Sequence, residues 1–151
     1  MSVSTLHGAL RFIHDHKYPH VENPPGCNRR AAVALIIRFR PRYPDRPTTT
    51  SPLIGENAQT FETALNTFFE QEWVRGSDPE ILFIKRASRS GDRWNGHVAF
   101  PGGRRDPEDE NDAATSVRET EEEVGLNLES RDCLYIGNLP ERLVTTLDNA
   151  P

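Results

Sequence analysis

With 151 residues, 35% of them hydrophobic and 27% charged, the chain has material for one domain with a lean core. Its formal net charge of −5 argues against non-specific nucleic-acid binding, which needs a basic face. No apolar run approaches the ~18 residues of a membrane span, the first ten residues lack a secretory apolar stretch, and two distant cysteines, Cys27 and Cys133, read as reduced intracellular thiols.

In chain order, Leu6, Leu10 and Ile13 are spaced for a short amphipathic helix. His14, His16 and His20 follow as a polar surface segment, since no Cys or acidic partner is spaced to complete a metal site. Pro19, Pro24, Pro25 and Gly26 break the chain into a loop. Residues 31–37 are a near-continuous apolar run rich in β-branched side chains, which predicts one buried central strand.

A linker rich in Pro, Thr and Arg occupies 41–52. Phe61, Leu65, Phe68, Phe69 and Trp73 then recur at helical spacing, predicting a helix over 58–73 whose aromatic stripe serves the core or docks on a sheet. Residues 80–85 and 97–100 read as strands. Between them Arg86, Arg89 and Arg93 carry guanidinium forks suited to phosphate, with Trp94 beside the last. Residues 133–137 read as a further strand, and Leu143, Val144 and Leu147 as the start of another.

The plainest helix spans 112–124. Asn111 or Asp112 can cap it, Ala113 and Ala114 favour it, and Gly125 suits a left-handed C-terminal stop. Ala114, Val117 and Val124 fall on one side. Glu119, Glu122 and Glu123 fall together on another, within an arc of roughly 100°. Crowded carboxylates repel, and Arg118, four residues before Glu122, can neutralise only one of them. A solvated acidic helix is the plainer alternative on these residues alone. A hard divalent cation would relieve the crowding, and an all-oxygen set suits Mg²⁺ or Mn²⁺ rather than zinc. Pro101, Gly102 and Gly103 set a tight loop beside the carboxylate face, where glycine permits close backbone approach.

This stretch resembles the Nudix box: Gly, five residues, Glu, seven residues, then Arg-Glu-apolar-any-Glu-Glu-any-Gly-apolar. Glu110, seven residues and the run from Arg118 to Leu126 follow it. Thr120 stands in an apolar slot, and six residues rather than five separate Gly103 from Glu110. The run from Gly96 to Gly103 resembles the Gly-x-x-x-Phe-Pro-Gly-Gly signature of the coenzyme A diphosphatases within that family. Leu82 to Ala87 is similar to the start of the same signature, with Phe83 and Ile84 in its Leu-Thr slots. The likeness covers roughly residues 30–40 and 80–140.

The resemblance implies an α/β fold: a Nudix-type α/β/α sandwich with a mixed sheet. Residues 1–151 would form a single domain, with 41–79 an insertion carrying a helix and the C-terminal part of the fold absent. It implies metal-dependent hydrolysis of a diphosphate linkage in a nucleotide derivative, in the nearest branch coenzyme A or acyl-coenzyme A, giving 3′,5′-ADP and a phosphopantetheine. The alternatives are another nucleoside diphosphate derivative (ADP-ribose, a nucleotide sugar, a dinucleoside polyphosphate) or an inactive binding module. By resemblance, Arg118, Glu119 and Glu122 are catalytic. Glu119, Glu122 and Glu123 hold Mg²⁺ or Mn²⁺. Arg86, Gly102 and Gly103 contact substrate. The partner is a nucleotide-derived small molecule, not nucleic acid or a membrane, in an intracellular setting: cytoplasm, peroxisome or mitochondrion.

Overall fold

The computed structural model describes residues 3–42, 60–87 and 96–144. The N-terminal pattern forms α1, Val3–Asp15, which buries Leu6 and Leu10. The strands of the first half are β1, Ala31–Val33, and β2, Ile37–Pro41. Next come α2, Phe61–Glu70, and α3, Glu72–Arg75. Then β3, Ser77–Ile81, β4, Ile84–Lys85, β5, Val98–Ala99, and β6, Gly102–Arg104, lead into α4, Asp112–Val124.

The expected α/β class holds. The pairs are β1 with β6, β2 with β3 and β4 with β5, each antiparallel, so the parallel pairing of a mixed sheet is not among the described residues. Leu6 and Leu10 of α1, Leu65 and Phe69 of α2, and Val74 of α3 make the buried core. Phe39 of β2 meets Phe68 and Phe69 edge-on, with centroids 5.0 and 5.4 Å away, so the aromatic stripe docks on a sheet as its spacing predicts. The helical part of 41–79 thus supplies much of the core. Residues 43–59, and with them the start of the predicted helix at Ala58, lie outside the described residues.

Four sequence expectations are corrected. The single buried strand over 31–37 is two strands, because its halves have different neighbours: β1 pairs with β6 and β2 with β3. Between them the chain stays extended, Ala34 N–H donating to Pro101 O (2.8 Å) and Leu82 N–H to Ile36 O (3.0 Å). Nor is the run covered on both faces, since Val33 is 57% and Leu35 41% exposed. The helix over 58–73 breaks at Gln71, whose ψ of 132° leaves the helical region. The strand over 80–85 divides into β3 and β4 around Leu82 and Phe83. Residues 133–137 pair with no strand among the described residues. Leu134 and Ile136 instead pack against the core, and His14 Nδ1 donates to Ile136 O at 3.0 Å.

β3 carries Pro79 opposite Phe39, and a proline is tolerated there because β3 pairs on one side alone among the described residues. α4 packs on β1 and β6, which brings the carboxylate helix against the double glycine.

Candidate active site

α4 forms where its signals place it. Asn111 Oδ1 accepts from Ala114 N–H at 2.9 Å, and Gly125 takes φ 67° with its N–H on Glu121 O. The face turned to the protein differs from the expected one. Thr115 and Thr120 are fully buried, Ala114 and Val117 are half-buried, and Val124 is 37% exposed. α4 lies against a strand made of Gly and Arg and another made of Ala and Val, where the small, branched Thr fits closely. Thr120 fills its apolar slot by shape, its hydroxyl meeting no partner among the described residues.

Arg118 is the hub. Its Nε and Nη2 donate to both oxygens of Asp109 at 3.0 Å, and Nη2 also reaches Arg104 O at 3.2 Å. Its Nη1 donates to Glu119 Oε1 at 3.1 Å and to Glu122 Oε1 at 3.3 Å. The expected Arg118–Glu122 pair is therefore present, and a second carboxylate shares the same nitrogen. Asp109 is buried, and its Oδ2 accepts from Asp106 N–H at 2.9 Å. The paired guanidinium, then that N–H, hold the Asp109 carboxyl well below the usual carboxylate range. The reciprocal effect pushes Arg118 further up, so it stays charged throughout the working pH range.

The glycines fit the helix closely. A Cβ at Gly103 would lie 2.4 Å from the Glu119 carboxyl carbon, so only glycine admits Glu119 here. Gly102 has φ 143°, and a Cβ there would lie 2.2 Å from Ala32 O. Gly102 N–H donates to Glu123 Oε2 at 2.8 Å. The carboxylate face, the arginine and the double glycine thus meet in one place.

The donor set fits a hard divalent ion, because Glu119 and Glu122 already converge on one cationic nitrogen in an all-oxygen environment. Glu123 is turned aside to Gly102. Among the described residues no three Asp, Glu, His or Cys side chains gather closely enough to ligate an ion as they stand. Arg86 directly follows β4 and is half-buried, with its N–H on His97 O at 3.0 Å. It borders an open concavity with Phe100 and Gly103, whereas Glu119, Glu122 and Glu123 do not line that space. Arg89, Arg93 and Trp94 lie outside the described residues. His14, His16 and His20 are exposed, as read, and both cysteines are free.

Two groups escaped the sequence reading. One is Asp109, both of whose oxygens accept from Arg118; Glu110, the residue that the box pattern aligns, is exposed, and its carbonyl accepts from Arg105 Nη2 at 2.9 Å. The other is a brace at the head of α4. Arg30 Nη2 donates to Asp112 Oδ2 and to Glu141 Oε2 at 2.7 Å each, and its Nη1 to Val21 O at 2.9 Å. Glu141 also accepts from Val21 N–H and from His20 Nδ1 at 3.0 Å. The Val21 N–H, then Arg30, hold its carboxyl down at about 2. Apart from Arg30 and Val21, which are 9 residues apart, these partners lie 82 to 121 residues apart, so no local spacing signals them.

Comparison with known proteins agrees with this geometry. Residues 73–145 match the NUDIX domain model. The uncharacterized protein C14C4.10c of Schizosaccharomyces pombe is 37% identical over 123 residues, 82% of this chain and 32% of that protein. The mitochondrial coenzyme A diphosphatase NUDT8 of Mus musculus is 47% identical over 55 residues, 36% of this chain and 26% of the relative. The peroxisomal coenzyme A diphosphatase ndx-8 of Caenorhabditis elegans is 46% identical over 66 residues, 43% of this chain and 28% of the relative. The chain therefore spans about a third or less of the length of these curated relatives. No solved structure matches significantly. No helix among the described residues is long and apolar enough to cross a membrane. Residues 73–145, with their glutamate helix seated on a double glycine, thus resemble the NUDIX domain family, and the chain is similar to its coenzyme A diphosphatases.

Proposed function

We propose that this chain carries the catalytic centre of a Mg²⁺- or Mn²⁺-dependent diphosphatase acting on coenzyme A or acyl-coenzyme A. One observation carries the reading: Glu119 and Glu122 converge on a single nitrogen of Arg118, which buried Asp109 anchors beside Gly103. Glu119, Glu122 and Glu123 would hold the ion. When bound, it neutralises diphosphate oxygens and acidifies a water for in-line attack on phosphorus.

The chain's own residues do the rest. Arg118 aims the Glu119 and Glu122 carboxylates and keeps their repulsion in check. Gly103 lets Glu119 lie against the loop backbone, and the loop of Gly102 and Gly103 would border the bound phosphate. Arg86 would take a substrate phosphate from the concavity side, its guanidinium fork suiting two oxygens. The names of the relatives favour coenzyme A as the substrate class, and a peroxisomal or mitochondrial setting as the place.

Incubation with coenzyme A, and separately ADP-ribose, in Mg²⁺ or Mn²⁺ tests this, with 3′,5′-ADP as the diagnostic product. Glu122→Gln should lower turnover by more than the roughly 10–100-fold typical of changes outside the ligand shell. An unchanged rate would reject its ligand role, and a preference for ADP-ribose would move the substrate assignment.

A further inference from the structure

Glu123 faces a conflict of duties. As one of three proposed ion ligands it should turn toward Glu119 and Glu122, yet its Oε2 accepts from Gly102 N–H at 2.8 Å. Gly102 is buried, whereas Glu123 is exposed. Two neighbouring amides are engaged with β1 or the residue before it: Arg105 N–H donates to Arg30 O at 3.0 Å, and β6 pairs with β1 through Gly103. Gly102 N–H is instead covered by the helix carboxylate.

We infer that Glu123 is a metal-released latch on the glycine loop. Ion loading draws the carboxylate off Gly102, and the uncovered N–H becomes a donor for a substrate phosphoryl oxygen. This rests on the metal-dependent reading above. Its physical basis is competition for one carboxylate: a divalent ion outbids a single neutral N–H, while a buried amide left open demands a new acceptor. A phosphate oxygen is such an acceptor, and a glycine backbone lets it approach. Binding is then ordered, ion first and diphosphate second, because without the ion the loop donor is capped and the carboxylates repel the substrate.

Amide hydrogen exchange read residue by residue by NMR on the full chain tests this, with Mn²⁺ line broadening along α4 as an independent report of ion binding. Saturating Mg²⁺ should speed exchange at Gly102 at least tenfold and leave Arg105 unchanged, and α,β-methylene-ADP added afterwards should restore protection at Gly102. Glu123→Ala should exchange fast at Gly102 with or without Mg²⁺. Glu123→Gln, which keeps the acceptor and weakens the ligand, should stay protected in both. If Mn²⁺ broadens α4 while Gly102 protection does not change, or Glu123→Ala stays protected, the latch is overturned and the metal site stands. If the nucleotide leaves Gly102 exposed, its donor role is overturned. If Mn²⁺ broadens nothing, the metal reading falls and takes the latch with it.

Discussion

Gly103 is the residue where sequence and chemistry meet most tightly. Its missing side chain is the space that the Glu119 carboxylate fills. Gly103→Ala should therefore displace Glu119 and cost at least about tenfold in kcat, since small misplacements of catalytic groups are expensive, while the melting temperature changes little; steady-state kinetics beside a thermal melt checks both. Gly102→Ala should act differently. With φ at 143° and backbone atoms in the way, it should cost about 2 kcal/mol or more of folding stability, read by urea unfolding. Both glycines are legible in the sequence because glycine permits close backbone approach in a tight loop beside the carboxylate face. Asp109 did not stand out. It sits nine residues before Arg118 across a turn, a separation with no helical or strand periodicity, so only the folded turn shows that it, and not Glu110, meets the arginine.

At the scale of elements, α4 was legible nearly to its ends because caps are local chemistry. Asn111→Ala should cost about 1 kcal/mol, seen as a lower urea midpoint with an unchanged slope. The β segments were far less legible. An apolar run announces extended chain but does not name its neighbours, and residues 31–37 trade one partner for another midway. The break at Gln71 was hidden for a related reason. The aromatic spacing continues to Trp73, whereas the backbone turns so that Val74 can be buried and Ser77 Oγ can donate to Trp73 O. Leu65, almost wholly enclosed, joins α2 to the core, and Leu65→Ala should cost roughly 2–5 kcal/mol in chemical denaturation.

The described molecule has few fully buried side chains and many open ones, including Val98 at 68% and Phe83 at 52% exposure. Long-range side-chain ties therefore carry unusual weight, and they set the response to acid. Glu141 is held at about 2 against an ordinary 4.5, and Asp109 is depressed too. A depressed carboxyl stabilises the fold above its unfolded value and loses that contribution as pH falls through the folded one. The contribution of these carboxyls should thus be level above about pH 5 and be lost from pH 4.5 toward 2, lowering stability over that range. Urea midpoints across that range check it, and Glu141→Gln should flatten part of the slope. The side chains of α4 also settle how this molecule meets its own kind. Glu123 occupies Gly102 N–H and Arg118 occupies Arg104 C=O, both on the flank of β6 away from β1. A foreign strand meets two rungs of that flank already taken, so strand addition is disfavoured there, and the glutamate helix shields the strand edge as well as serving the chemistry.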